Sequence, residues 1–203
     1  MRKSLLVAGL LSVLCAVSVV TTGCVSPKAS QRMTRASAST SLTPPAGKAT
    51  IVFVRPSKFG FAVVPAILNE KGEFIGDAEA QAHFAVNVDP GRHLFVCWAE
   101  NSAALEATVA AGKTYYVEVA PRMGAWVMRC HLIAIKPDSP NWSKLDTWIA
   151  KSRRIEVDKE KGAAYVAKRA EDVKRRVKLG EETFQKYTAG ERADRTIAPG
   201  DGR

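Results

Sequence analysis

The chain has 203 residues, of which 46% are hydrophobic, and a formal net charge of +10 at pH 7. This length allows one compact domain with appendages and excludes two large domains. The basic balance suits contact with anionic lipid, lipopolysaccharide or cell-wall polymers. However, much of the excess charge lies among interspersed acids after Lys151, which is also typical of a solvated helix face.

The N-terminus has the pattern of an export signal that ends in a lipidated cysteine. Arg2 and Lys3 precede an unbroken apolar run at 5–20, and a glycine stands directly before Cys24. The run is shorter than the roughly 20 residues that cross a bilayer as a helix. The sequence therefore predicts a cleaved lipoprotein signal peptide at 1–23 and an acyl chain of the palmitate type on Cys24.

This signal predicts a location in the bacterial cell envelope. Val25 is not the aspartate that holds some lipoproteins on the inner membrane, so we expect a lipid anchor in the outer membrane facing the periplasm. Thr21 stands where such signals usually carry leucine, which leaves open ordinary secretory cleavage near 36–38 and a soluble exported protein. Either route argues against ATP-driven chemistry and nucleic-acid binding, and we expect no nucleic-acid partner.

Residues 24–46 are rich in Ser, Thr, Ala and Pro and contain few large apolar side chains. A segment of this composition cannot bury a core of its own. We therefore expect a flexible tether, which at full extension would reach on the order of 70 Å and could hold the folded part away from the membrane.

A β-type pattern extends over 47–136. Short apolar runs alternate with turns rich in Gly and Pro, and the runs lie at 50–55, 61–68, 83–88, 93–98, 105–109, 114–119 and 126–135. Seven short strands at near-regular spacing, with no helical pattern between them, predict a mainly β fold, namely an antiparallel β-sandwich of about seven strands.

A C-terminal helical extension is predicted at 138–188. One helix should start at Ser139-Pro140, and a second near Asp158 should end or be interrupted at Gly180. The second carries a narrow apolar stripe of Ala and Val. This stripe either packs on the protein's own sheet or serves as a docking face for another envelope protein or a second copy. Residues 189–203 are expected to be a disordered tail.

Three blocks within this β region resemble an uncharacterised domain of bacterial envelope lipoproteins. They are GKATIVFVRPS at 47–57, DPGRH at 89–93 and AGKTYYVEV at 111–119. The middle block is also similar to the turn of PEGA-type surface β-sandwich modules. The resemblance covers about 47–135 and implies a small β-sandwich in the envelope. It implies no reaction, because the family has no established catalytic residues.

Two cysteines remain once Cys15 leaves with the signal and Cys24 is lipidated. Cys97 and Cys130 would lie in an oxidising compartment, where a disulfide persists. The alternative is two buried thiols on neighbouring core strands. A metal site made of these cysteines with His93 and His131 conflicts with strand geometry, because adjacent residues face opposite sides and His93 lies too far along its strand from Cys97. We expect no metal and no cofactor.

Other candidate sites have simpler explanations. Ser57 is followed by Lys58, but it lacks the glycines of a nucleophile elbow and a base partner, so a turn serine is the better interpretation. An envelope hydrolase would need Ser57, a histidine and a carboxylate within hydrogen-bonding reach. The acidic residues Glu70, Glu73, Asp77 and Glu79 match no calcium loop, and we expect them to be solvated turn carboxylates.

Aromatic side chains offer one candidate binding surface. Tyr116 and Trp126 stand out because the opposite faces of their strands carry other residues, Tyr115 and Val127, that could fill the core. The sequence thus predicts a non-catalytic, membrane-tethered envelope lipoprotein with a structural or protein-interaction role. The alternative is a ligand-binding module for lipid, glycan or cell-wall fragments.

Overall fold

The computed structural model describes residues 29–37 and 41–203, and this part of the chain forms eleven strands and four helices. The strands are β1 (Met33–Arg35), β2 (Ala49–Arg55), β3 (Ala66–Asn69), β4 (Phe74–Asp77), β5 (Ala82–Val88), β6 (Gly91–Trp98), β7 (Ser102–Val109), β8 (Thr114–Met123), β9 (Met128–Ile135), β10 (Arg153–Val157) and β11 (Thr196–Ile197). The helices are α1 (Leu145–Lys151), α2 (Lys159–Lys168), α3 (Ala170–Gln185) and α4 (Ala189–Ala193), with single 3₁₀ turns at Trp142–Lys144 and Pro199–Asp201.

The strands form two sheets, which confirms the prediction of a mainly β fold. The six-stranded sheet has the order β1-β10-β5-β2-β8-β9 and the five-stranded sheet the order β11-β7-β6-β3-β4. The prediction of a purely antiparallel arrangement is wrong. β2 pairs parallel with β8, β10 with β5, and β11 with β7. Each parallel pair is joined by a long connection, which such pairing requires and which strand periodicity does not reveal.

The two sheets pack face to face around one hydrophobic core. Phe53 on β2 lies at its centre, with its ring centroid 5.2 Å from that of Phe84 on β5 and 5.3 Å from that of Phe95 on β6. Alternation along each strand directs every second side chain into this core. The same cluster includes residues of both edge strands β1 and β11, so the sheets are closed over the core at their margins.

Helices cover the outer faces of both sheets. Leu145 of α1 packs on Val52 and Val54 of the six-stranded sheet. On the five-stranded sheet, Val173 and Val177 of α3 pack against Leu68, and Phe184 packs against Val96. The apolar stripe of the extension therefore lies on the protein's own sheet.

The helix boundaries differ from the predicted ones. Asp158 caps α2 as predicted, since its side chain accepts from the backbone N–H of Lys161. The predicted start at Ser139 is wrong, because its hydroxyl donates to the Lys136 carbonyl in a turn and the α-helix begins at Leu145. α3 continues through Gly180, where the missing side chain allows close contact with Val96.

The segments expected to lack structure at either end contribute edge strands. Within the predicted tether, β1 pairs antiparallel with β10 and Met33 is buried in the core. In place of the predicted disordered tail, α4 begins at a capping box between Thr188 and Glu191. β11 follows it, pairs parallel with β7 and buries Ile197. Strands of two or three residues are too short to show an alternation of apolar and polar side chains, so the sequence does not predict them. They form because they pair with a strand at the edge of a sheet.

Candidate functional site

The disulfide between Cys97 and Cys130 is present and confirms the prediction. It joins β6 of one sheet to β9 of the other across 33 residues of chain, with the two Cα atoms 6.4 Å apart, and both residues are buried. Because the sulfurs are bonded to each other, they are not free to ligate a metal. Cys24 lies outside the described residues.

Tyr116 is buried and not exposed at the surface. Its side chain is only 5% exposed and lies on the outer face of the six-stranded sheet, beneath Trp142. Arg203 covers the rest of the ring, with its guanidinium 4.8 Å from the ring centroid and its Nε donating to the phenol oxygen over 3.1 Å. Tyr116 thus forms part of the floor of a shallow cavity of about 340 Å³ that Leu42 and Pro44 also line.

Trp126 has the opposite environment, since it is 93% exposed. It lies in the turn between β8 and β9, which closes through a hydrogen bond from the Gly124 N–H to the Val127 carbonyl. Tyr116 and the end of β8 at Met123 are separated by roughly 23 Å of strand. The structure therefore does not bring Tyr116 and Trp126 into one surface.

Trp126 instead belongs to a cluster of exposed apolar side chains at one end of the sandwich. We call this cluster the apical patch; its members are Phe59, Phe61, Met123, Trp126 and Val127. The patch combines the loop at 56–65 with the β8–β9 turn. The two segments touch, because a Cβ built on Gly60 would lie 2.7 Å from the Met128 Cε atom.

Buried Arg55 holds the loop of the apical patch in place. Its guanidinium donates to four backbone carbonyls, those of Phe59, Gly60, Val63 and Ala78, at 2.8–3.0 Å. Burial lowers the pKa of Arg55 to about 10, which leaves it charged at neutral pH. Ser57, in the same loop, accepts a hydrogen bond from the Phe59 N–H, as expected of a turn serine.

The structure contains one serine–histidine contact that the sequence did not indicate. His83 Nδ1 lies 2.7 Å from the Ser152 hydroxyl, although 69 residues separate them in the chain. The same hydroxyl lies 3.2 Å from the Ile149 carbonyl, so its one hydrogen serves one of these two contacts and the His83 tautomer decides which. The charge that acts on His83 is that of Arg154, a cation, and not a carboxylate of the kind that orients a triad histidine. The contact ties β5 to the end of α1.

Two carboxylates anchor the first described residues to the domain. Asp77 is fully buried and forms an ion pair of 2.8 Å with Arg32, whose guanidinium lies 4.0 Å from the Tyr165 ring centroid. Glu79 accepts from the Ser30 N–H over 2.7 Å and pairs with Arg153 over 3.1 Å.

Burial raises the pKa of Asp77, while hydrogen bonds from Arg32 and Ser30 act against that rise. The prediction of solvated turn carboxylates is therefore wrong for Asp77 and Glu79. Ser30 and Arg32 come from the predicted tether and Arg153 from β10, so no local pattern in the sequence could have paired them with these carboxylates.

An open apolar groove of about 380 Å³ lies between the β3–β4 turn and helices α2 and α3. Val166, Val173 and Val177 line its helical wall, and Gly72 lies on the opposite side. A second groove of about 370 Å³ continues past Glu70 toward Arg92 and Phe184. These grooves lie along the packed stripe, and Val173, Val177 and Phe184, which line them, are themselves largely buried.

The chain matches no protein-family model, no curated protein and no solved structure. Over the described residues, none of the helices is both long and apolar enough to cross a membrane.

Proposed function

We propose that this chain is a lipoprotein of the bacterial cell envelope, tethered by Cys24 to the outer membrane on its periplasmic side, with a structural or protein-interaction role rather than a catalytic one. The observation that carries the proposal is the Cys97–Cys130 bond between the sheets. Disulfides of this buried, structural kind belong to oxidising compartments. The export-type N-terminus and the resemblance to envelope lipoprotein domains support the same location.

The non-catalytic role draws support from how the reactive side chains are used. Ser57 stabilises a turn, and the contact between His83 and Ser152 ties β5 to the end of α1. His93 Nε2 lies 2.7 Å from the Asp89 carbonyl. Each of these groups has a structural partner, so we assign none of them to a reaction.

A second candidate function is the binding of a lipid, glycan or cell-wall fragment. The groove beside Val166 and Val173 favours it, because its volume falls in the range of small-molecule sites, which starts at about 300 Å³. Groove binding of this kind would be saturable and would be lost in Val166→Asp. A protein partner on the same stripe would instead be captured by cross-linking from Lys174 at the groove wall.

The test of the proposed function is an intact mass of the protein purified from its native membrane, before and after reduction. We expect a di- or triacylated N-terminal Cys24, and a gain in mass that corresponds to reduction of the disulfide. Cys24→Ala is the matched control and should lose the acyl mass while it keeps the disulfide. An unacylated chain cleaved elsewhere would contradict the tethered lipoprotein.

A further inference from the structure

Exposed apolar surface is concentrated at one end of the molecule. Among the described residues, six large hydrophobic side chains are strongly exposed, and five of them form the apical patch; the sixth, Leu179, lies on α3. Apolar side chains that are scattered singly over a surface need no explanation, whereas a contiguous group marks an interaction site. The contact between Gly60 and Met128 makes the two loops of this patch contiguous.

The rim of the apical patch is basic. Lys58, Arg122 and Arg129 are exposed around it, and the segments 56–65 and 119–131 contain no Asp or Glu. Arg122 and Arg129 face each other across the β8–β9 ladder. Like charges at directly opposed positions repel. Among the described residues, no carboxylate forms an ion pair with either arginine. Half-buried Glu118 is an acidic residue that Arg122 affects, because burial raises its pKa and the arginine acts against this larger effect.

The apical patch also lies close to the chain that leads to Cys24. The Ser30 N–H donates to the Glu79 carboxylate. The carbonyl of the preceding residue, Ala78, accepts from the Arg55 guanidinium, which also donates to the Phe59 and Gly60 carbonyls of the patch loop. From Cys24 to Ala29 the backbone can reach at most about 18 Å. An acyl chain on Cys24 would therefore hold this end of the molecule near the bilayer.

We propose that the apical patch is a membrane-contact surface that seats the domain on a phospholipid bilayer with anionic headgroups. The inference rests on the proposed lipid tether, which supplies a high effective concentration of bilayer at this end of the domain. Trp126, Phe59 and Phe61 insert at the headgroup level, where amphipathic and aromatic rings are favoured. Arg122 and Arg129 contact lipid phosphates, which relieves their mutual repulsion. The patch fixes the orientation of the domain relative to the bilayer, and the acyl chain keeps the protein bound to the membrane.

The experiment uses the full mature protein, purified from membranes and reconstituted in vesicles of phosphatidylethanolamine and phosphatidylglycerol with brominated acyl chains. Trp126→Phe keeps the apolar surface, so subtraction of its spectrum isolates the emission of Trp126 from that of the three less exposed tryptophans, Trp98, Trp142 and Trp148. We expect the Trp126 emission to be blue-shifted and quenched by the brominated lipid.

The charges are tested by the pair Arg122→Gln and Arg129→Gln, which should reduce the quenching of Trp126 several-fold. The matched control, Lys159→Gln with Lys168→Gln, removes the same charge from the exposed face of α2 and should leave the quenching unchanged. Near-ultraviolet circular dichroism verifies that both double variants are folded.

Each remaining outcome separates this inference from the proposed function. Unquenched Trp126 in a chain whose mass shows the acyl group would overturn the membrane contact and leave the lipoprotein intact. Quenched Trp126 in a chain without an acyl group would refute the tether and support the patch. A blue shift that depends on protein concentration in the absence of lipid would identify a second copy as the occupant and overturn the inference.

Discussion

Arg55, Asp77 and His83 show how buried polar side chains fix the irregular parts of this protein. Arg55 supplies four donors to carbonyls that no strand could satisfy, and in doing so it shapes the loop that carries Phe59. Hydrogen bonds from a charged donor contribute more than neutral ones, about 1.5–3 kcal/mol each. The shape of the exposed loop is therefore set by a residue that solvent does not reach.

His83 should make the stability of the protein depend on pH. Burial and the nearby Arg154 lower its pKa from 6.5 to about 4. Above pH 6.5 the imidazole is neutral in both states, and as the pH falls toward 4 only the unfolded chain gains the proton. The free energy of unfolding should therefore fall with pH, by about 3 kcal/mol in total, within this window.

His83→Asn tests this dependence, because asparagine keeps a side-chain N–H that can donate to the Ser152 hydroxyl but does not titrate. Denaturant unfolding at a series of pH values should show that the loss between pH 6.5 and 4 is smaller in the variant than in the parent protein. Burial also lowers the pKa of His131, so some dependence should remain. His93→Asn, near the start of β6 and partly exposed, controls for the replacement of a histidine. Parallel profiles for the parent protein and His83→Asn would refute the assignment.

At the scale of elements, the helices lie close to the sheets because small residues stand at the contacts. α3 approaches β6 at Gly180, where a Cβ would come within 2.6 Å and 2.7 Å of the two methyl groups of Val96. α2 approaches Phe74 at Gly162 in the same manner. Neither glycine has a positive φ, so the backbone conformation does not require glycine at these positions. The close approach of the helix to the sheet does.

Gly180→Ala should therefore destabilise the protein, although alanine is the better helix former. Overpacking against buried, stiff Val96 costs about 1–3 kcal/mol, and the helix propensity of alanine returns about 1 kcal/mol. We expect a net loss of up to about 2 kcal/mol in the free energy of unfolding. Gly190→Ala is the matched control, since nothing lies within 4 Å of its Cβ position in α4. It should be neutral or stabilising by up to about 1 kcal/mol, and equal effects of the two changes would show that packing at Gly180 is not tight.

For the whole molecule, the sequence predicts the middle of the fold better than its margins. All seven predicted apolar runs overlap an observed strand, because each has enough residues for alternation to be visible. β1, β4, β10 and β11 have two to five residues each and were not predicted. β1, β10 and β11 form by pairing with strands far away in the chain, and this long-range pairing also produces two of the parallel ladders.

The environments of Tyr116 and Trp126, the predicted binding surface, also depend on long-range arrangement. Trp126 is exposed in the β8–β9 turn, although the predicted run at 126–135 included it in a strand, because β9 begins only at Met128. Tyr116 is covered because Trp142, in the 3₁₀ turn before α1, and Arg203 lie over its strand face. Local alternation places a side chain on a face, but only the tertiary arrangement decides whether another layer covers that face.

The disulfide should contribute to the stability of the whole sandwich because it connects the two sheets covalently, from β6 to β9. Closing a loop of 33 residues in the unfolded chain corresponds to about 3–4 kcal/mol in the chain-entropy description. Cys97→Ala with Cys130→Ala should lower the free energy of unfolding by about that amount, measured by denaturant titration under oxidising conditions. The parent protein unfolded with and without reductant provides the matched comparison, because reduction keeps the side-chain volume and removes only the bond. If both measurements left the unfolding midpoint unchanged, the sheets would be held together by the Phe53 core alone, and the bond would lose its structural role.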